Sequence, residues 1–358
     1  MVLKGKSGRK KVKIKIGNKT LGDKVYVIAE AGVNHNGSLE RAKELVIKAA
    51  QAGTDAIKFQ TYTADELVVK GTPKFWDAEV DKDKEGQHEA YKALEGFKDE
   101  WYPELIKCCE ENNIEFLSTP FSFAAADFLN SLGMKAFKIA SSDMSTLPFL
   151  EHVAKFKKPI LLSTGASTLA EIIEAVETIK EAGNKQIVVM HCNLNYPTKD
   201  EDANLGVIKT LKAVFPDLVI GLSDHTLGTF PPIIAAAMGA KVIEKHYTVD
   251  KTLPESADHW LSVDPTELKE IVDGVKRIEL LYGDTERRVF PSESETRKYD
   301  KRSLVSKRFI AAGTEITEDM LTYKRPGTGI PPKFKDIVVG RIARRDIRED
   351  CVITWRMI

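Results

Sequence analysis

Short apolar runs of β-type composition alternate eight times with amphipathic helical segments along most of this chain. The runs predict strands at residues 25–29, 56–59, 115–118, 136–139, 159–162, 186–190, 218–222 and 241–244. The segments between and after them predict helices at 39–52, 101–112, 124–132, 147–156, 170–182, 206–215, 231–238 and 265–281. A strand followed by a helix, repeated in this way, is typical of a parallel sheet that closes on itself. The pattern therefore predicts an α/β fold, a (β/α)8 TIM barrel.

The parts of the chain outside these repeats predict how the domains are arranged. Residues 12–22 have the pattern of a two-stranded hairpin that could close the bottom of the barrel. Residues 284–302 are rich in charged and small amino acids. Residues 303–358 have short β-type runs separated by Gly and Pro turns. We predict a catalytic barrel with its hairpin at 1–283, a linker at 284–302 and a small domain at 303–358.

The connection between the second and third predicted strands, residues 61–100, is long, polar and charged. A connection of that length inside a compact domain is more often functional than structureless. We therefore expect this insertion to belong to the active site.

The overall charge excludes some classes of function. Lysine plus arginine and aspartate plus glutamate both number 53, so the formal net charge is zero. This balance argues against a general binder of nucleic acid or of anionic membranes. No apolar run approaches the roughly 18 residues of a membrane span, and the N-terminus lacks a secretory pattern, so we expect a cytoplasmic enzyme. The four cysteines have neither metal-site nor disulfide spacing and are expected to be reduced.

Polar residues stand at the carboxyl end of every predicted strand, where barrel active sites are built. Lys58 and Lys138 lie within otherwise apolar runs. A buried lysine is costly unless it is paired, so each either forms an ion pair with a carboxylate such as Glu30 or Glu244, or faces an anionic ligand. Two such lysines surrounded by hydroxyls can bind a ligand that carries a phosphate and a carboxylate. Phosphoenolpyruvate carries both groups. The candidate hydroxyls are Thr119, Ser141, Ser163 and Ser223.

His225 and His246 follow the last two predicted strands. Adjacent strands lie about 4.8 Å apart, so two imidazoles at matching heights can share one divalent metal ion and leave positions open for water or substrate. A lone histidine is more often a satisfied core residue, but a pair at one face favours a metal site. His35 follows the first strand and is either structural or part of the site.

Ten motifs in this order resemble the sialic acid synthase family, which comprises N-acetylneuraminate synthases and their legionaminate and pseudaminate relatives. They are residues 28–37 (IAEAGVNHNG), 57–60 (IKFQ), 117–121 (LSTPF), 137–141 (FKIAS), 162–165 (LSTG), 191–192 (HC), 196–198 (YPT), 221–226 (GLSDHT), 244–246 (EKH) and 324–329 (KRPGTG). Together they span nearly the whole chain.

The resemblance implies a TIM barrel followed by a small antifreeze-like (SAF) domain, in a domain-swapped homodimer. It implies that phosphoenolpyruvate condenses with an amino-sugar aldehyde, and that a divalent metal takes part, most often Mn²⁺, with Mg²⁺ or Co²⁺ as alternatives. The residues that this implies for phosphoenolpyruvate are Lys58, Thr119, Lys138, Ser141, Ser163 and Ser223. His225 and His246 would hold the metal. The residues implied for the sugar are Glu30, Gln60, Asp143, Tyr196, Asp258 and, from the small domain, Arg325.

Three features depart from the family pattern. The stretch 254–258 (PESAD), which ends in Asp258, is one residue longer than the form common in relatives. Where relatives often carry an asparagine, this chain has Leu194, with Asn193 and Asn195 beside it, and either could take that contact. Asp143 stands where some relatives have glutamate.

Two other enzymatic functions remain open, together with two non-enzymatic alternatives. One enzyme is another phosphoenolpyruvate-dependent synthase that makes a seven- or eight-carbon keto acid; the other is a 9-phosphate synthase whose acceptor is a hexosamine 6-phosphate. An ice-binding protein is disfavoured because 323–329 and 341–348 are basic rather than rich in Thr and Ala. An inactive barrel is disfavoured by the presence of Lys58, Lys138, His225 and His246.

Overall fold

A computed structural model describes residues 13–22, 24–76, 86–95, 97–253, 258–284 and 286–358. Its contacts divide the chain into two compact units, Met1–Gly283 and Asp284–Ile358. Residues 77–85 and 96 of the predicted insertion lie outside the described residues.

The strands of the first unit are β1 (Lys15–Ile16), β2 (Lys19–Thr20), β3 (Tyr26–Gly32), β4 (Ala56–Thr61), β5 (Glu115–Pro120), β6 (Phe137–Ile139), β7 (Ile160–Ser163), β8 (Ile187–Cys192), β9 (Val219–Asp224) and β10 (Val242–His246). Its helices are α1 (Leu39–Ala52), α2 (Ala64–Leu67), α3 (Gln87–Leu94), α4 (Trp101–Glu111), α5 (Phe123–Ser131), α6 (Leu147–Ala154), α7 (Leu169–Glu181), α8 (Asp200–Ala203), α9 (Val207–Val214), α10 (Phe230–Ala237) and α11 (Pro265–Tyr282).

The eight strands from β3 to β10 form one parallel sheet in the order β5-β4-β3-β10-β9-β8-β7-β6. The two end strands, β5 and β6, pack against each other, so the sheet is nearly closed. Helices surround it, and a large apolar cluster fills the space between strands and helices, with Leu45, Phe59, Val176 and Ile271 among its members. The predicted (β/α)8 barrel is confirmed.

A second, smaller apolar cluster fills the lower half of the barrel interior. It joins inward-facing strand residues to the N-terminal hairpin, in which β1 and β2 pair antiparallel. The hairpin contributes Ile14, Ile16 and Leu21, all almost fully buried, and the strands contribute residues such as Ile28 and Met190. The hairpin therefore closes the bottom of the barrel, as the sequence predicts.

All eight predicted barrel strands are present, and every one except β6 extends one to three residues beyond its predicted end. The additional residues include polar ones such as Glu30 and Gln60. The apolar pattern stops before these residues, whereas the backbone continues in the sheet because its hydrogen bonds do not depend on side-chain polarity.

Two short helices, α2 and α3, lie in the described part of the insertion between β4 and β5.

In the second unit, β11 (Ser303–Ser306) and β12 (Leu321–Lys324) pair antiparallel, and helix α13 (Lys335–Val338) follows them. This unit has its own buried core, which includes Leu304, Ile316, Ile330 and Ile353. The predicted linker segment contains helix α12 (Ser294–Asp300). No helix in the described residues has the length and apolar character that a membrane crossing requires.

Candidate active site

A cavity of about 560 Å³ opens at the carboxyl ends of the barrel strands. Polar side chains from the strand ends line its inner part, and residues of the insertion line much of the remainder. The polar lining residues from the strands and their immediate ends are Glu30, Lys58, Gln60, Thr119, Lys138, Ser141, Ser142, Ser163, Ser223, His225, Glu244 and His246. The insertion therefore lies at the site, as its length predicts.

The two-residue alternation of a β-strand explains why these side chains meet. In β10, Val242 belongs to the lower apolar cluster, and Glu244 and His246 follow it on the same face. In β3, Ile28 precedes Glu30 in the same way, and the sheet register pairs His246 with Glu30. The last inward positions of the strands thus form a polar ring above an apolar core.

Lys58 lies in this ring and is held by three partners. Its Nζ is 2.5 Å from Glu30 Oε2 and 3.8 Å from Glu244 Oε1, and it donates a hydrogen bond of 2.7 Å to Thr119. The side chain is 2% exposed. The ion pair considered from the sequence is therefore present, and it lies on the cavity wall rather than in the closed core.

Lys138 shares one of these carboxylates. Its Nζ is 3.2 Å from Glu244 Oε1, and Ser223 donates a hydrogen bond of 3.1 Å to the same oxygen. The other oxygen of Glu244 and the Ser163 hydroxyl are buried with no hydrogen-bond partner among the described residues. Buried polar atoms are nearly always hydrogen-bonded in native proteins, so these two atoms indicate a polar ligand.

The two glutamates differ in charge state. Burial raises the pKa of Glu30 to about 7, with Lys58 lowering it and Glu244 raising it. Burial would also raise the pKa of Glu244, but Lys138 and then Lys58 lower it below its usual range. Glu244 therefore stays ionised near neutrality, whereas Glu30 changes its charge there.

The predicted metal ligands are adjacent. The ring centroids of His225 and His246 are 5.2 Å apart, and His225 Nδ1 donates a hydrogen bond of 2.6 Å to the Asn193 carbonyl, which leaves its Nε2 for a ligand. His246 Nδ1 is buried without a hydrogen-bond partner in the described chain. Burial lowers the pKa of His246 well below its usual value, so the ring is neutral, as a metal ligand must be.

Among the described residues, no group of three or more His, Cys, Asp or Glu side chains is arranged to hold a metal ion. Two imidazoles would leave the other positions of a divalent ion to water or substrate oxygens, and metal binding at His225 and His246 stays a prediction.

The residues expected on the sugar side converge beside Glu30. Gln60 donates a hydrogen bond of 3.0 Å to Glu30. A Cβ added to Gly32 would lie 3.3 Å from Gln60 Nε2, 3.5 Å from Glu30 Oε1 and 3.6 Å from Asp258 Oδ2, so these three side chains surround one small volume. The Tyr196 ring is 4.2 Å from the His225 ring and lines the same cavity.

Two predicted site residues do not come from the strand ends that form the polar ring. Asp143 is on a short 3₁₀ turn, Ser141–Asp143, and is not among the residues that line the cavity, although its neighbour Ser141 is. Arg325 belongs to the second unit, where it is exposed and lies 2.6 Å from Asp300. The part each plays in sugar binding stays a prediction.

His35 packs among aromatic side chains. Its ring contacts Phe97 at 5.0 Å, with Phe59 and Trp101 close by, and its Nδ1 accepts a hydrogen bond from the Gly37 backbone. It does not line the cavity.

Sequence reasoning missed several residues of the site. Glu244 appears in the sequence only as a possible ion-pair partner, yet it binds both lysines and Ser223. Leu194 lines the cavity, whereas the Asn193 side chain donates to the Asp202 carbonyl. The apolar residues of the insertion were also missed. Of these residues, only Glu244 could have been found from the sequence, because its two-residue spacing from His246 places both side chains on the same face of the strand.

Comparisons with known proteins give a consistent result. The model of the NeuB family matches residues 45–287, and that of the SAF domain matches 301–358. An N,N'-diacetyllegionaminic acid synthase of Legionella pneumophila is 40% identical over 93% of this chain and 94% of its own. A pseudaminic acid synthase of Campylobacter jejuni is 36% identical over 94% of this chain and 97% of its own.

A solved structure of similar architecture is that of an N-acetylneuraminic acid synthetase from Leptospira borgpetersenii, crystallised in complex with citrate. It is 33% identical, covers 80% of this chain and 95% of its own, and superposes with a TM-score of 0.72.

Proposed function

This chain belongs to the NeuB family and is an enzyme of the synthase type, and from that premise we propose a specific reaction for it. It condenses phosphoenolpyruvate with the aldehyde of an N-acyl hexosamine and with water, and it releases phosphate and a nine-carbon 2-keto acid of the sialic type. The observation that carries this proposal is the pair of buried lysines, Lys58 and Lys138, among hydroxyls at the carboxyl end of the barrel.

The phosphoenolpyruvate end is the polar ring. Lys58 and Lys138 neutralise the phosphate and the carboxylate, and the surrounding hydroxyls donate hydrogen bonds to their oxygens. The hydroxyls are those of Thr119, Ser141, Ser163 and Ser223, all of which line the cavity. When the anion binds, it replaces Glu30 and Glu244 as the partner of the lysines.

The sugar end lies where Glu30, Gln60 and Asp258 converge, with Tyr196 nearby. These groups hold the open-chain sugar so that its aldehyde carbon faces C3 of phosphoenolpyruvate. A C–C bond forms between these carbons, and the aldehyde oxygen takes up a proton. Water adds at C2, and cleavage of the bond from C2 to the phosphate oxygen releases phosphate and leaves the keto group. Orienting two reactants in one cavity contributes much of the rate.

His225 and His246 would hold a divalent ion, for which Mn²⁺ is our first choice. When bound, such an ion supplies Lewis-acid polarisation of the aldehyde oxygen.

We further propose that the enzyme works in the cytoplasm as a domain-swapped homodimer. In it, the small domain of one subunit brings Arg325 to the N-acyl group of the sugar in the other, and Asp143 contacts a sugar hydroxyl. The formal net charge of zero argues against binding to nucleic acid or to anionic membranes.

The test is to incubate the protein with phosphoenolpyruvate, Mn²⁺ and a panel of N-acyl hexosamines, then measure phosphate release and identify the product by mass spectrometry. We expect phosphate release with at least one N-acyl hexosamine and a nine-carbon keto acid as the product. Lys138→Met should lower the rate at least ~100-fold because it removes a charge from the anion site. The matched control is Lys135→Met, since Lys135 is exposed.

Turnover only with arabinose 5-phosphate or erythrose 4-phosphate would replace this proposal with the synthase of seven- or eight-carbon acids. Turnover only with a hexosamine 6-phosphate would identify a 9-phosphate synthase.

A further inference from the structure

The two residues that end β8, His191 and Cys192, have no role in the proposed reaction. Cys192 lines the cavity. Side chains alternate between the two faces of a strand, so His191 points the other way, towards the helices. On that face, Ile187 and Val189 belong to the apolar cluster between strands and helices. A polar side chain buried in such a place is costly unless it is hydrogen-bonded, and His191 is 5% exposed.

The partner of His191 lies in the connection between β8 and α9. Its Nε2 donates a hydrogen bond of 2.8 Å to the carbonyl of Ala203, the last residue of α8. A carbonyl can only accept, so Nε2 carries the proton, and burial lowers the pKa of His191. Two residues further along, the Asn193 side chain donates to the Asp202 carbonyl at 2.9 Å. These two bonds tie the start of the connection to its far end and close residues 193–203 into a loop.

Three contacts join this loop to His225. The Asn193 carbonyl accepts the bond of 2.6 Å from His225 Nδ1. The Thr198 backbone donates to the His225 carbonyl at 2.9 Å. The Tyr196 ring, which lines the cavity, lies 4.2 Å from the His225 ring. The orientations of His225 and Tyr196 therefore depend on the conformation of the loop.

We propose that His191 is a positioning residue: its bond to Ala203 keeps the loop closed, and the closed loop sets the orientation of His225 and Tyr196. This inference rests on the proposed function, in which His225 serves the metal ion and Tyr196 serves the sugar. His191 itself touches neither, because it lies on the opposite face of β8 from the cavity.

The phosphoenolpyruvate end is held by other elements. Lys58 and Lys138 lie on β4 and β6, and the groups that bind them come from β3, β5 and β10. Loss of the His191 bond should therefore weaken the binding of the sugar and of the metal ion more than that of phosphoenolpyruvate. A substitution that only destabilised the fold would not separate the two substrates in this way.

The first test needs neither metal nor substrate. Hydrogen–deuterium exchange of the full-length protein reports the protection of the Thr198 amide, which is bonded to His225. In His191→Ala we expect this amide to exchange at least ~5-fold faster than in the wild type, because the loop opens more often. His191→Gln keeps a side-chain donor and should restore most of the protection. Unchanged exchange in His191→Ala would overturn the inference.

The second test compares the ligands. In His191→Ala we expect Mn²⁺ affinity, measured by electron paramagnetic resonance, to fall about 10-fold and KM for the sugar to rise about 10-fold, while calorimetry shows less than a ~3-fold change for phosphoenolpyruvate. His191→Gln should lie close to the wild type. Equal losses for sugar and phosphoenolpyruvate would overturn the positioning role. If the wild type neither turns over nor binds Mn²⁺, the proposed function fails, whereas the exchange measurement still decides whether His191 closes the loop.

Asn184, just before the other end of β8, provides a matched control. It is 2% exposed, and its side chain donates a hydrogen bond of 2.7 Å to the Lys158 carbonyl. Asn184→Ala therefore also removes a buried bond from a side chain to the backbone, and it should lower the thermal stability. It should leave Thr198 exchange, Mn²⁺ affinity and the ratio of the two KM values unchanged. If Asn184→Ala reproduced the effects of His191→Ala, general destabilisation would explain them and the positioning role would be wrong.

Discussion

Lys245 Nζ lies 2.6 Å from Asp224 Oδ2 on the outer face of the barrel, and these two residues immediately precede His246 and His225 in the chain. Both residues are almost fully buried. Lys245 also donates to the Thr226 carbonyl, and Thr226 donates its hydroxyl to Asp224 at 2.8 Å. The backbone of Thr198 then donates to the His225 carbonyl at 2.9 Å. This network fixes the loop on which His225 lies.

Lys245→Met should destabilise the protein by about 3–5 kcal/mol, because it leaves the Asp224 carboxylate buried and unpaired. Chemical denaturation measures this loss. The control is Lys107→Met, whose lysine is 75% exposed and lies 3.9 Å from Glu111, and it should cost less than about 0.5 kcal/mol. Equal stabilities of the two variants would contradict a structural role for the buried pair.

Phosphoenolpyruvate should bind more weakly as the pH rises through about 7. Below that pH Glu30 is protonated, since burial raises its pKa to about 7, and Lys58 is then free to pair with the anion. Above it, the ionised Glu30 competes for Lys58 and repels the ligand, so the linkage weakens binding by up to tenfold for each pH unit. Glu30→Gln should remove this dependence while keeping the titration of the ligand itself. Calorimetry measures the affinity of both proteins for phosphoenolpyruvate between pH 6 and 8.5. If the affinity changes with pH in the same way for Glu30→Gln and the wild type, Glu30 does not compete for Lys58.

His35 should make the protein sensitive to acid. Burial lowers its pKa from 6.5 to about 4, so between these values the unfolded chain binds a proton that the folded protein does not. This contribution to stability is complete above pH 6.5 and is lost as the pH falls through 4, by about 3 kcal/mol in total. Urea denaturation across this range should show a shallower fall for His35→Asn than for the wild type. A fall of the same size in both proteins would mean that His35 titrates normally.

His246→Ala should abolish metal-dependent turnover and weaken Mn²⁺ binding to the substrate-free protein, which electron paramagnetic resonance measures directly. His152→Ala is the control, because His152 pairs with Asp127 outside the cavity. If the variant binds Mn²⁺ as the wild type does, His246 is not a ligand.

Arg325→Ala should raise KM for the sugar far more than KM for phosphoenolpyruvate, since only the sugar carries the N-acyl group that Arg325 is proposed to bind. Arg308→Ala is a close control, because Arg308 is also exposed in the second unit and lies 2.6 Å from one carboxylate, that of Asp319. Equal effects of the two substitutions on steady-state kinetics would remove Arg325 from the sugar site.

The sequence by itself determined the barrel and much of its polar ring. Strand and helix periodicities are local, so the eight repeats could be read without knowing which strands pair. Lys58 and Lys138 were identifiable because a lysine inside an apolar strand is unusual wherever that strand lies. The hairpin was predicted to close the barrel for the same local reason, its alternating apolar residues.

Only the tertiary structure decided which charges meet. Glu244 and Lys245 are neighbours in the sequence, yet Glu244 faces the cavity and binds both lysines, whereas Lys245 points outward to Asp224. The register between strands that are distant in the chain sets these pairs, and a shift of one residue would exchange the two faces. The placement of Tyr62 and Tyr91 also depends on how the insertion between β4 and β5 folds, since nothing in the local pattern of either residue indicates that both line one cavity.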